Sequence, residues 1–462
     1  MRGVILALLA AGLPVAGGPT PGERAREHLV ELIRCDTTNP PGNETRAAEY
    51  LKRVAEAHGI PSELIGPDPA RLNFVARLAG SGARRPLLLM AHTDVVPADR
   101  AQWTVDPFAG EVRDGFIYGR GAQDDKNLLA AQLAVLVELK RRRIKLSRDV
   151  ILLAEADEET GSTGIQWMIR NAWDRIDAEA TLNEAGFVLE LGSGARVFQV
   201  QTAEKIPSRV VLRARGTAGH GSLPRPDNPI VRLARAIVRL ESDQPVRLNA
   251  TTRRYLERIS QLPEYAWLAP LAPRLESELL RAHAANLIRE RDLEVDALLR
   301  TSVVPTMLNS GVKINVIPNL AEAHIDVRRL PNESREEVLA RFRRLINDSA
   351  IEVAPADGPE MPAAEPSPIQ GRVYRAIERV LRASSRSAVV VPFMSRGATD
   401  GAFLRARGVA VYGVPLFVRE DGAGRAHGND ERISIASLEA GTELLWKIVL
   451  EVAGTADETR AE

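Results

Sequence analysis

The chain has 462 residues, 45% of them hydrophobic and 26% charged, which is ordinary for a globular enzyme and long enough for two domains. Lysine and arginine (61) balance aspartate and glutamate (61), so net charge gives no reason to expect nucleic acid or an anionic membrane as partner. The single cysteine, Cys35, excludes an internal disulfide framework and a thiolate metal cluster, and nothing around it argues for a nucleophile.

In chain order, Arg2, an apolar run over 4–13 and small residues up to Gly18 have the layout of a secretory signal peptide. The run is too short to cross a bilayer, so residues 1–18 are expected to be removed. The mature protein is then expected outside the cytoplasm, periplasmic or extracellular, with no stable membrane anchor. A helix is predicted over 21–33, where a proline and an acidic residue open the first turn and Leu29, Leu32 and Ile33 share a face. Thr38-Asn-Pro-Pro-Gly-Asn43 breaks it, and 44–58 is helical again. Residues 72–78 and 86–91 read as strands, 127–143 as an amphipathic helix and 149–156 as a buried strand. Strands alternating with helices predict an α/β sheet whose site lies at the strand ends.

The texture changes near Glu204. Apolar and charged residues alternate over 209–215 and 321–328, the mark of a sheet with one wet face, and 228–242 and 334–346 are helical. That order predicts a small α+β sandwich inserted into the first domain. Residues 248–300, mostly helical and arginine-rich, read as an elaboration of this smaller domain. The proline-rich stretch 357–368 reads as the return linker. The expected divisions are therefore a leader (1–18), a first domain in two parts (19–204 and 366–462) and an inserted domain (205–365).

The chemistry sits where apolar runs end. His92 and Asp94 close the run that starts at Leu87; two positions apart, they face one side of a strand. Alone, such a pair is a salt bridge or a satisfied core histidine. Asp124 and Asp125 follow Gly119 and Gly121, and neighbouring carboxylates repel unless a cation lies between or beside them. They would also stabilise the dipole of the following helix, and both readings can hold together. Asp157-Glu158-Glu159 ends the 149–156 strand. Of two adjacent glutamates one can ligate a metal while the other stays free to take a proton. Glu184 and His427 are weak signals singly, each an ordinary loop residue without the others.

Jointly these residues resemble the co-catalytic zinc metallopeptidase and aminoacylase family, which includes succinyl-diaminopimelate desuccinylase, acetylornithine deacetylase, carnosinase and a bacterial glutamate carboxypeptidase. The likeness runs from Leu32-Ile-Arg-Cys-Asp-Thr-Thr-Asn-Pro-Pro-Gly-Asn43 to His427-Gly-Asn-Asp-Glu431, nearly the whole mature chain. It implies an α/β, zinc-peptidase-like catalytic domain, a mixed sheet flanked by helices, carrying an inserted α+β ferredoxin-like lid. It implies two zinc ions per chain, with cobalt or manganese as substitutes. His92, Asp124 and Glu184 would hold one ion, and Asp124, Glu159 and His427 the other, with Asp124 bridging. Glu158 would be the general base and Asp94 the partner of the His92 ring. The resemblance further implies a cis peptide after Asp124, an oxyanion-stabilising His220 on the lid, and a substrate carboxylate held near Asn315, Arg328 and Thr399. Ala398 and Asn127 stand where the family commonly has glycine. The expected reaction is hydrolysis of a peptide or N-acyl-amino-acid amide bond beside a free carboxylate. The alternatives are a dedicated N-acyl-amino-acid amidohydrolase or desuccinylase-type deacylase, and a non-catalytic extracytoplasmic binding protein. A homodimer through the lid is expected, although the 248–300 insertion could let one chain suffice.

Overall fold

A computed structural model describes residues 18–241, 244–356, 358, 361–418, 425–456 and 458. Nearly all of the expected leader, residues 1–17, lies outside these, as does part of the 357–368 linker. Among the described residues no helix is long and apolar enough to cross a membrane.

The main sheet has nine strands. Along its principal path they run Ser62–Ile65, Asn73–Leu78, Val150–Glu155, Leu87–His92, Ala180–Asn183, Ala410–Gly413, Arg196–Glu204 and Ala388–Ser395, and Phe187–Glu190 pairs on Arg196–Glu204. Leu87–His92 lies parallel between Val150–Glu155 and Ala180–Asn183, with Leu89 opposite both Leu152 and Leu182 and His92 opposite Glu155. All six residues of Leu87–His92 are buried, the near-continuous apolar run of a parallel strand covered on both faces. Alternate side chains point to opposite faces. Leu87, Leu89, Leu152, Phe198 and Val390 meet the helices Pro21–Arg34, Lys126–Arg141, Arg372–Ala383 and Ile435–Ala453. Leu88, Met90, Ile151, Leu153 and Val411 meet the helix Thr163–Asn171 and its neighbours. Thr20 caps the Pro21–Arg34 helix in a reciprocal capping box with Glu23.

The smaller sheet has five strands. Ser302–Ser310, Leu320–Arg329, Val210–Arg215 and Ile351–Pro355 lie side by side and antiparallel, with Ile206–Pro207 continuing the Val210–Arg215 position on Leu320–Arg329. Burial along Leu320–Arg329 alternates residue by residue, as the wet-and-dry sequence pattern demands. The helices Pro229–Leu240 and Arg335–Ile346 cover the dry face. With the insertion set aside, the order is strand, helix, strand, strand, helix, strand: a ferredoxin-like unit.

The insertion corrects one expectation. Its helices Ala250–Ile259, Arg281–Arg291 and Leu293–Ala297 do not elaborate the smaller domain; they pack on the main sheet. Tyr255, Ile259, Leu268, Leu275 and Ile288 share one core with Val197, Val391, Phe393 and Met394. The reason lies in the pleat. Arg196–Glu204 and Ala388–Ser395 bury Phe198 and Val390 on one face, and the insertion buries Val197, Val391 and Phe393 on the other. The Phe393 ring meets Phe187 edge-on (5.8 Å between centroids) and Tyr255 (5.9 Å). Phe393→Ala is therefore expected to destabilise the whole chain by about 3–5 kcal/mol in denaturant unfolding. A change confined to the smaller domain would contradict this packing.

Candidate metal centre

Because three parallel strands end level, the residues just past their ends emerge together. His92 ends one, Glu158 and Glu159 follow the second, and Glu184 follows the third. Asp124 comes from the loop ahead of the Lys126–Arg141 helix, and His427 from the segment ahead of the strand Arg432–Ser434.

Buried His92 points Nε2 at Asp124 Oδ1, 3.0 Å away. The other oxygen, Asp124 Oδ2, lies 3.2 Å from His427 Nε2, and that nitrogen is also 3.2 Å from Glu159 Oε1. One carboxylate thus faces two imidazoles with one oxygen each. Ligand atoms of His92, Glu158 and Glu184 lie within 4.8 Å of one another, as do those of His92, Asp124 and Glu159. The Asp124–Asp125 peptide is cis, as the family resemblance implied.

Asp94 faces the His92 ring, as expected, and does more besides. The His92 Nδ1–H donates to the main-chain oxygen of Asp94 at 3.0 Å, while its carboxylate stands farther off at 3.5 Å. That carboxylate also accepts the N–H groups of Glu158 (3.1 Å) and Glu159 (3.0 Å) and the Asn39 amide (2.8 Å). Asn39 also donates to Asp157 Oδ1 (2.9 Å), which Arg71 joins at 2.7 Å. These bonds hold Asp157 at a left-handed φ of 70°; Ala185 (66°) and His427 (63°) share that conformation, which side chains other than glycine rarely adopt. Asn39 and Asp157 carried no assigned role in the sequence. Only their places, ahead of Pro40-Pro41 and beside Glu158, hinted at one.

The electrostatics are those of crowded acid. Burial pushes Glu158 well above the usual carboxylate range, reinforced by Asp400, Glu159 and Asp124 and opposed by His92. Burial raises Glu184 in the same way, with Glu158 and Asp125 adding to it, and raises Asp125. Asp125 starts the helix without a side-chain cap, and its Oδ2 is buried with no partner. Behind them, burial and the nearby Asp94 charge push Asp400 up to about 7. Burial would lift Asp124 too, but hydrogen bonds from His427 and His92 outweigh it and hold that carboxyl low. The same contacts raise His427 to about 10, Asp124 first and Glu159 second.

The donor set fits a metal pair. Fully ionised, Asp124, Glu158, Glu159 and Glu184 would carry four negative charges, which two divalent ions would balance, and oxygen and nitrogen donors without sulfur suit zinc, cobalt or manganese.

The expected lid and loop residues lie elsewhere. His220 is exposed on a short ribbon, where His220 pairs with Val316 and its Nδ1 accepts from Ser222 Oγ–H at 2.7 Å. Asn315 is exposed on the same ribbon, its carbonyl taken by the Gly221 N–H. Arg328 donates to Asp326 two positions along its strand (3.1 Å). Thr399 departs from expectation: it is buried, its hydroxyl donates to Glu204 (3.0 Å) and accepts from the Gly401 N–H (3.2 Å). An engaged hydroxyl orders its own loop instead of reaching a ligand. Among the described residues, none of the four hydrogen-bonds to the acidic cluster.

A family-wide sequence profile described as Peptidase family M20/M25/M40 matches residues 88–451. N-fatty-acyl-amino acid synthase/hydrolase PM20D1 of Mus musculus is 30% identical over 438 residues, covering 92% of this chain and 87% of its own. Its Homo sapiens counterpart is 28% identical over 372 residues, covering 79% and 74%. Among solved structures, the M20 family metallo-carboxypeptidase Sso-CP2 from Sulfolobus solfataricus superposes with a TM-score of 0.68 at 21% identity, covering 92% of this chain and 99% of its own. Human carnosine dipeptidase 1 gives 0.61 at 18%, covering 93% and 97%. The chain belongs to peptidase family M20/M25/M40. It is a metal-dependent hydrolase with a co-catalytic dinuclear site, acting on peptide or acyl-amino-acid bonds.

In the acidic cluster, Glu158, Glu184, Asp125, Asp400 and His427 have folded pKa values above their unfolded ones and titrate above pH of about 5. Each adds stability while it holds its proton and loses it as pH rises, because the folded chain then binds more protons than the unfolded one. In the chelator-treated protein these groups therefore contribute a falling slope of melting temperature from pH 5 to 8, against buried His28 and Lys205, whose lowered affinities act in the opposite direction. Zinc should remove most of that slope, so its stabilising effect grows with pH. A pH-independent effect of zinc, followed by calorimetry, would argue against metal binding among these carboxylates.

Proposed function

We propose that this chain hydrolyses the amide bond of N-acyl-amino acids, at a site where Asp124 would be shared by the two ligand sets for zinc. The observation that carries the site assignment is the Asp124 carboxylate offering one oxygen to His92 and the other to His427. By the family resemblance, His92, Asp124 and Glu184 would hold one ion, and Asp124, Glu159 and His427 the other. When bound, the ions supply Lewis-acid activation of water and of the amide carbonyl.

Glu158 takes the proton from the attacking water and hands it to the leaving amine. Burial raises its affinity for a proton, which suits a group that accepts one and passes it on. Asp94 supports the step from behind by fixing the Glu158 main chain and, through its carbonyl, the His92 ring. The identity and coverage of the fatty-acyl-amino acid enzymes favour an acyl-amino acid as substrate. The second reading, peptide cleavage, rests on a Dictyostelium discoideum relative described as a probable carboxypeptidase S-like protein, 27% identical over 381 residues. Retention of Glu158 beside the full donor set speaks against a non-catalytic binding protein. Acetyl- and long-chain acyl-amino acids assayed beside dipeptides, with and without chelator, decide among these. Glu158→Gln should lower kcat by about 10²–10⁴-fold with two zinc ions per chain retained. A fall to one ion would make Glu158 a ligand instead.

A homodimer through the smaller sheet completes the proposal. Ser302–Ser310 is an edge strand whose far residues are exposed; Val304, Met307 and Leu308 on it, and Val312 and Ile314 just past it, present apolar side chains. Natural edges of that kind are covered, and a second copy offers the matching edge. His220, exposed on the neighbouring ribbon, then serves the oxyanion in the site of the other subunit, and Arg328 and Asn315 the substrate carboxylate. Met307→Lys with Leu308→Glu should give a monomer in sedimentation velocity and lower turnover while zinc content stays at two. Export follows from residues 1–18, and N-terminal sequencing of secreted protein is its test.

A further inference from the structure

Glu431 stands four residues past His427, is fully buried, and takes no part in the chemistry above. Its carboxylate is saturated with donors. Oε1 accepts the main-chain N–H of Gln123 (2.7 Å) and of Asp124 itself (3.2 Å). Oε2 accepts the Gly121 N–H (3.1 Å) and the Arg120 guanidinium (2.7 Å). The Glu431 carbonyl takes the Gly119 N–H at 2.9 Å. Four donors fill the lone-pair sites of one carboxylate, and charge-assisted bonds of this kind are about twice as strong as neutral ones. The loop carrying Asp124 is thus wound around a single anion. Gly121 permits the winding: its φ is +90°, and a Cβ there would meet Lys126 and Val95 at 2.9 Å.

The same loop is sewn to the His427 segment. Arg120 reaches the carbonyl oxygens of Pro97 (3.4 Å) and His427 (3.5 Å), with its guanidinium over the Trp103 ring at 5.2 Å. Gln123 accepts from the Arg425 N–H (3.0 Å) and donates to the Arg432 carbonyl (2.7 Å). Asp124 and His427 are far apart in sequence, yet the scaffold of each passes through Glu431 or its Arg120 partner.

We propose that Glu431 is a positioning residue that sets the spacing between Asp124 and His427, and thereby the affinity for the ion held on the His427 side. The inference rests on the ligand assignment made above. A purely structural role would weaken the metal-free fold and leave zinc affinity alone; a positioning role does the reverse.

The test uses the full chain, stripped with chelator and titrated with zinc in metal-buffered solutions. Zinc per chain is read by elemental analysis, and the metal-free fold by its melting temperature. The wild type should take up two ions. Glu431→Gln should keep the first near wild-type affinity and bind the second about 10–100-fold more weakly, the range for lost supports behind a metal ligand. Arg120→Met leaves the carboxylate in place but frees the His427 carbonyl, so it should show a smaller loss of the same kind. It carries the test alone if Glu431→Gln does not fold. Wild-type affinity for both ions in both variants would overturn the positioning role and leave the ligand assignment standing. His427→Ala is the control: uptake equal to that of the wild type would overturn both.

Discussion

The site depends on one buried carboxylate that never needs to touch a metal. Asp94 closes the strand that carries His92 and fixes that ring through its carbonyl oxygen, while its side chain grips the N–H groups of Glu158 and Glu159. Strand end and acidic turn therefore move as one piece. Asn39 and Arg71 extend the grip to Asp157, whose left-handed backbone turns the chain so that both glutamates face the cluster. A buried anion this well supplied with donors is stable because its hydration is replaced bond for bond. The acids it presents are not so supplied. The burial that raises Glu158 and Glu184 is the electrostatic demand that a cation meets.

Much of this was legible in the residues. The apolar run before His92, the 149–156 strand and the alternation over 321–328 carry their own periodicities, and the elements formed within a residue or two of where those patterns placed them. His92, Glu158 and Glu159 stood out because charge at the end of an apolar strand is costly without a purpose, whereas Asp124, on a glycine-rich loop, and Glu184, a weak signal singly, took their roles from the resemblance. His427, on a half-exposed segment with no strand before it, needed the resemblance.

What stayed hidden was tertiary in kind. No spacing tells that Asp94 would add its main-chain oxygen to its hold on the histidine and grip two further amides with its carboxylate. Thr399 was expected near a ligand from its loop, yet its hydroxyl is occupied by Glu204 within the body of the domain. The insertion was misplaced because its neighbours in sequence belong to the smaller sheet. The clue lay far downstream, in a run from Ala388 to Met394 apolar on both faces, which needs a cover on each side.

That misplaced insertion has a topological consequence. The polypeptide leaves the main body at Lys205, returns to it near Asn249, leaves again at Thr301 and is back on it by Ser367, whose N–H donates to the Thr202 carbonyl. The smaller sheet therefore hangs from four tethers, which confines any swing to arcs that all of them allow. It also cannot be cut out as a cassette. Excising 205–365 would remove the roof over Val391 and Phe393 along with the lid, and the remaining fragment would expose grease where the intact enzyme has a third layer.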